Sequence, residues 1–260
     1  MNDALYIAAT GMQAHQAQID AVANNVANVN TPGFKRVKVS FHDVVNRAGG
    51  TETATAATSA RANGVLDGTG VSSATLSRQF DPGEIKRTDN PMDIAVHGAG
   101  FIELTAVDGS LAYTRGGALQ VNADGYLATS EGLVLKQRIH VPAEVRTLTI
   151  SQDGEVLGSD GKSKERALGR IDLVTFANPQ ALQSLGGNVY RATPEAGDPL
   201  SAIAGEGGAG RLMQGQLEQS NVKLIDEMVQ MMVAQRAYEM NVKVIQAADE
   251  IAGLTNNMRK

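Results

Sequence analysis

Near both ends of the chain, apolar residues recur at alternating steps of three and four. Leu5, Ala8, Met12, His15, Ile19, Val22, Val26 and Val29 follow that rule at one end, and Leu224, Met228, Met231, Gln235, Tyr238, Val242, Ile245 and Ala252 at the other. This is the spacing of a single seam on a helix. The pattern predicts a first helix starting at Asn2 or Asp3, either of which can cap free N–H groups. It should stop near Asn28–Asn30, because Pro32 forces Thr31 into an extended conformation and Gly33 completes a turn. The second helix is predicted from Ser220 or Asn221 to about Leu254, with Asp226 and Glu227 at its positive end.

Each helix carries a second series. Ile7, Thr10, Ala14, Ala17, Ala21, Asn24 and Asn28 give the first helix a face of small residues, where polar Asn24 and Asn28 would fix register at a cost in stability. Val222, Ile225, Val229, Val233, Ala237, Met240, Val244, Ala247, Ile251 and Leu254 give the second helix another apolar stripe. An ordinary surface helix has one such stripe, so two imply burial on two sides. The other helix of the chain would cover one side and a neighbouring copy the second.

Between the helices the period changes. Asp-Gly pairs at Asp67-Gly68, Asp108-Gly109, Asp124-Gly125, Asp153-Gly154 and Asp160-Gly161 separate short apolar or alternating runs such as Met92–Val96 and Leu148–Ile150, as in antiparallel hairpins. The predicted fold is therefore α+β: long N- and C-terminal α-helices packed in a coiled-coil-like domain, with a mainly antiparallel β middle domain. The helical domain takes residues 1–36 plus 217–260, and the β domain 68–196. An extended linker covers 37–67, with an Ala/Thr/Gly-rich loop at 45–64, and a return linker covers 197–216.

Composition narrows the chemistry. The chain has 260 residues, 42% hydrophobic but only 4% aromatic and without Trp, so its core should be aliphatic and Ala-rich. The net charge of −5, with no basic stripe, argues against nucleic acid. Without Cys there can be neither disulfides nor thiolate metal sites. No run approaches the ~20 apolar residues of a membrane span, and Met1–Thr10 has no basic residue of the kind that opens a secretory signal. By these rules alone the protein would be placed in the cytoplasm.

Catalytic patterns are absent as well. His15, His42, His97 and His140 form no ligand pair, Gly98 and Gly100 lack the third glycine of a dinucleotide loop, and there is neither a nucleophile elbow nor a P-loop. Met228, Met231, Met232 and Met240 suggest a promiscuous binding surface or, at helical spacing, a core, and the two readings merge where that core lies between subunits. The reading is a non-enzymatic protein with no cofactor, no metal site and no catalytic residue.

The segment Ala23-Asn24-Asn25-Val26-Ala27-Asn28-Val29-Asn30-Thr31-Pro32-Gly33-Phe34-Lys35-Arg36 resembles the signature of the flagellar basal-body rod and hook family. Ser220-Asn221-Val222, Glu227-Met228-Val229 and Gln235–Asn241 resemble its C-terminal motif, and Asp93–Phe101 and Tyr113–Gly117 resemble segments of its middle. Within that family the length and the Gln-Arg-Ala-Tyr-Glu run are most like distal rod subunits. A proximal rod protein is the alternative, and a surface adhesin-like β protein with coiled-coil ends is a reading from another class.

The resemblance implies a subunit exported unfolded by the flagellar type III apparatus, without a cleaved signal, and working in the periplasm. It implies a helical homopolymer whose terminal helices form an inner tube. Its neighbours would be proximal rod proteins, hook protein and the L-ring and P-ring proteins. The packing residues would be Leu5, Met12, Ile19, Val22, Asn24, Asn25, Val26, Asn28, Leu224, Met228, Met231, Tyr238, Val242 and Ile245, with a turn motif at Thr31, Pro32, Gly33 and Phe34.

Overall fold

The structure, a computed structural model, describes residues 2–47, 66–71, 75–106, 108–161 and 165–257. The chain divides into two compact units. A helical unit comprises Met1–Val26, Val37–Ser77 and Leu224–Lys260, and a β unit comprises Ala27–Arg36 and Arg78–Lys223.

In the helical unit, α1 spans Asn2–Ala27. The chain then extends as β1 (Val37–Ser40) and β2 (Asp43–Arg47). After β3 (Leu66–Val71) and β4 (Thr75–Arg78) it leaves for the β unit. β1 pairs with β4, and β2 runs antiparallel to β3. Val45, Asn46 and Arg47, assigned to a loop by composition, instead sit in this ladder opposite Gly68, Asp67 and Leu66. The same ladder takes Asp67-Gly68 out of a turn and into a strand. The rest of the predicted loop, 48–64, lies outside the described residues. Gly70 lets β3 approach α1 closely: a Cβ there would lie 2.5 Å from Thr10 Oγ1, and the Val71 N–H donates to that same oxygen at 3.4 Å.

The second helix, α2, runs from Leu224 to Asn257, 34 residues. It starts later than Ser220 or Asn221 because those side chains are engaged elsewhere. Asn221 Oδ1 accepts the Arg36 N–H at 2.7 Å and its Nδ2 donates to the Gln79 carbonyl at 2.9 Å, while Ser220 Oγ accepts the Val222 N–H. Neither is left to cap the helix.

The expected coiled-coil-like packing of the two helices is not formed. Leu224, Met228 and Tyr238, placed on the shared seam, are exposed. Among the described side chains, the buried positions of α2 are Glu227 and Ala234, and those of α1 are Ala8, Ala14, Ala21, Val22 and Asn25. A knobs-into-holes seam needs large apolar knobs on both partners. Small and polar side chains occupy those covered positions, so the α+β layout stands without the coiled coil.

The β unit begins with β5 (Ile85–Arg87), β6 (Asp93–His97), β7 (Phe101–Thr105), β8 (Leu111–Thr114), β9 (Gly116–Val121), β10 (Leu127–Thr129) and β11 (Val134–Leu135). It continues with β12 (Thr147–Ile150), β13 (Glu155–Ser159), β14 (Arg166–Arg170), β15 (Leu173–Thr175), β16 (Gln183–Gly186) and β17 (Val189–Arg191). β18 (Leu200–Ala202), β19 (Arg211–Gln214) and β20 (Gln216–Glu218) complete it. Eleven strands join in the order β16-β17-β8-β7-β11-β10-β9-β6-β19, with β15 joined to β7 and β18 to β15. The strands β12-β13-β14 make a separate sheet, and β20 pairs with β5.

The connecting turns share one geometry. At Asn122–Gly125 and Ser151–Gly154 the glycine N–H bonds back to the carbonyl of the first residue. The glycines lie at φ 79° and 89°, a left-handed conformation that a Cβ disfavours. Ile94, Leu104, Leu127, Leu135, Ile171 and Leu173 form a fully buried aliphatic core. A second cluster gathers Phe80, Phe101, Tyr113, Phe176 and Tyr190 edge to face, with ring centroids 4.9–6.1 Å apart, the geometry that the ring quadrupoles favour.

Candidate assembly site

Polar contacts hold the helical unit at defined points. Asn25 is 1% exposed; its Oδ1 accepts the Val37 N–H, and its Nδ2 donates to the Val37 carbonyl at 2.9 Å and to Glu227 Oε2 at 3.1 Å. A Cβ at Gly11 would lie 3.0 Å from Asn241 Nδ2. Asn25–Glu227 and Gly11–Asn241 place α1 and α2 antiparallel, the two contacts separated by about four turns along each helix.

α2 has an apolar face exposed to solvent. Ile225 is 78% exposed, Val233 61%, Met240 66% and Leu254 65%, and Val229 and Val244 are exposed beside them. On an ordinary surface helix such residues face a core. A continuous apolar stripe of this length marks a site for another macromolecular surface.

In the β unit the turn motif is clasped by buried charge. Lys35 Nζ donates to Glu218 Oε1 at 2.7 Å and to the Asp81 carbonyl at 2.7 Å. Arg115 Nε donates to Glu218 Oε2 at 3.0 Å, and its other N–H groups reach the carbonyls of Val96, Gly98 and Gly100. The Gly83 N–H adds a third donor to Glu218 at 2.8 Å. Burial pushes the Lys35 ammonium below its usual range against the pull of Glu218. For Glu218 burial acts upward, but Arg115 and Lys35 outweigh it and hold the carboxyl below the usual carboxylate value. The Gly33 N–H bonds to the Glu218 carbonyl at 2.6 Å, Asn188 Nδ2 donates to the Pro32 carbonyl at 2.6 Å, and Arg78 lies over the Phe34 ring.

Residues 5–35 match the family described as Flagella basal body rod protein, residues 95–158 the Flagellar hook protein FlgE/F/G D1 domain, and residues 213–258 the Flagellar basal body rod FlgEFG protein C-terminal. The chain is 39% identical over 267 residues to the flagellar basal-body rod protein FlgG of Borreliella burgdorferi, with 100% of each covered. It is 37% identical over 264 residues to that of Agrobacterium fabrum, with 99% of each covered, and 36% identical over 261 residues to that of Bacillus subtilis, with 98% of each covered. The chain belongs to the flagellar basal-body rod family. It is a structural subunit of the rod, located in the flagellar basal body.

The rod-family positions singled out by pattern fall into three groups. Val22, Asn25 and Phe34 are buried. Leu5, Met12, Ile19, Val26, Asn28, Thr31, Gly33, Met231, Val242 and Ile245 are half-buried. Asn24, Pro32, Leu224, Met228 and Tyr238 are exposed. Asn28 Oδ1 accepts the Thr31 hydroxyl at 3.2 Å, closing the turn after α1.

Among the rod subunit's buried charges, the pairing of Lys35, Arg115, Glu218 and Glu227 escapes sequence reasoning. Their partners lie 183 residues apart for Lys35–Glu218 and 202 for Asn25–Glu227. A faint signal exists at Arg115, a charge set between Tyr113-Thr114 and Gly116-Gly117 in a strand-forming run.

An open cavity of about 280 Å³ in the β unit is lined by Pro32, Ile102, Leu104, Leu119, Val189 and Glu131 among others. Glu131 is its one ionisable lining residue, which gives no acid–base pair to work with. Among the described residues no group of three or more His, Asp or Glu is placed to hold a metal ion. Among the described residues no helix is long and apolar enough to cross a membrane.

Proposed function

We propose that this rod subunit builds the distal part of the rod, polymerising head-to-tail into a rigid hollow shaft that transmits torque to the hook and leaves a bore for exported subunits. The uncovered apolar face of α2, from Ile225 to Leu254, carries this reading. Removing such side chains from water contributes ~1.5–3 kcal/mol each, and another copy of the same helical unit is the partner that a polymer supplies. A heterologous contact that does not close on itself extends into a helical filament. The full-length relatives from Borreliella burgdorferi, Agrobacterium fabrum and Bacillus subtilis carry the rod-protein name, which supports a rod role over an adhesin-like one.

The shaft lies in the periplasm, reached through the flagellar type III apparatus without a cleaved signal. There it meets proximal rod proteins below, hook protein above and the L-ring and P-ring around it. Concentrating the purified chain and imaging it by electron microscopy tests the reading. Straight hollow tubes are the expected product; a chain that stays monomeric at every concentration, or closes into small rings, contradicts it.

A further inference from the structure

We propose that Glu218 is a charge-dependent latch: its ionised carboxylate holds the Thr31–Arg36 segment closed on the β unit, and its neutralisation releases that segment. One carboxylate serves two cations here, with side-chain exposures of 0% for Lys35, 5% for Arg115 and 3% for Glu218. Every other direct partner of the two cations in the clasp is a neutral carbonyl, of Asp81, Val96, Gly98 or Gly100. The remaining ionisable neighbours do not replace it. The Asp81 side chain attracts Lys35 only weakly and from an exposed position, Arg78 is a further cation over the Phe34 and Tyr190 rings, and Tyr190 is buried.

Neutral Glu218 would leave two buried cations without a counter-ion, a strongly destabilising state. Without Glu218, Arg115 keeps three carbonyls, of Val96 in β6 and of Gly98 and Gly100 between β6 and β7, whereas Lys35 keeps the single carbonyl of Asp81. The segment therefore gives way first. The depressed Glu218 carboxyl sets the direction: the latch is fully closed above the ordinary carboxylate range and is lost as pH falls through the lower folded-state value.

Lys35 reports its own release, because a lysine-specific protease cannot reach a fully buried lysine. In the full chain at pH 8, Glu218→Gln should speed cleavage after Lys35 at least about tenfold, the factor equivalent to one pKa unit. The Tm gap between wild type and E218Q should be wide at neutral pH and close as pH falls below the carboxylate range. K35M/E218Q, with one stranded cation in place of two, should recover part of the lost Tm. If E218Q does not fold, wild-type amide exchange in acid takes its place, and residues 31–36 should then open before β6 and β7. Equal cleavage rates, a Tm gap that ignores pH, or simultaneous opening would overturn the latch.

Discussion

In the β unit, Ile94, Leu104, Leu127, Leu135, Ile171 and Leu173 are fully buried within a single chain. On α2, Ile225, Val233, Met240 and Leu254 are each more than half exposed. The first set is covered by sheet partners from the same molecule; the second is left exposed. Local backbone chemistry makes both, since β turns and helical periodicity are each locally encoded. The difference arises at packing: α2 meets α1 through Glu227 and Asn241, and leaves its apolar stripe exposed. A rod subunit needs both behaviours, a body that folds once and a surface that stays unsatisfied until a neighbour arrives.

The contrast can be broken hardest from the β side. Leu173→Ala removes a side chain with no exposed surface, and should cost about 2–5 kcal/mol, read as a lower urea midpoint. Gly154→Ala should come next, at about 1–3 kcal/mol or more. The residue lies at φ 89° and its new Cβ would meet the Ile171 carbonyl oxygen at 2.2 Å. In the helical unit Asn25→Ala strands the half-buried Val37 backbone groups and removes one partner of the buried Glu227, and should cost about 1–3 kcal/mol. Faster amide exchange in α1, with β6 and β7 unchanged, would be its signature. Val233→Asp, on the open stripe, should alter monomer stability by no more than about 0.5 kcal/mol yet abolish polymer in a sedimentation assay. Monomer destabilisation comparable to that of Leu173→Ala would mean that the stripe is already buried.

How far the sequence reveals this division depends on the range of the interaction. Three-four spacing locates α1, which ends at Ala27 where Asn28 and Thr31 close a turn, and Asp-Gly pairs mark turns at Gly109, Gly125, Gly154 and Gly161, all left-handed. Asp67-Gly68 breaks the rule because pairing with Val45 and Asn46 outweighs a local turn preference. Periodicity alone does not pick the seam on α2. Two apolar stripes satisfy the same spacing, and which one faces α1 is decided by Asn25–Glu227, a contact without a local signature. Lys35, Arg115 and Glu218 are hidden for the same reason: a charge in a strand or turn announces nothing about a partner brought to it by the finished fold.

Amide hydrogen exchange on the free chain at low concentration, and again after polymerisation, tests the central claim most directly. The terminal helices have little core of their own to offset an ordering cost of ~1–2 kcal/mol per residue, so α2 should exchange quickly in the free chain and become protected in the polymer, while β6, β7 and β15 stay protected throughout. Protection of α2 equal to that of these strands in the dilute monomer, unchanged on assembly, would contradict the account.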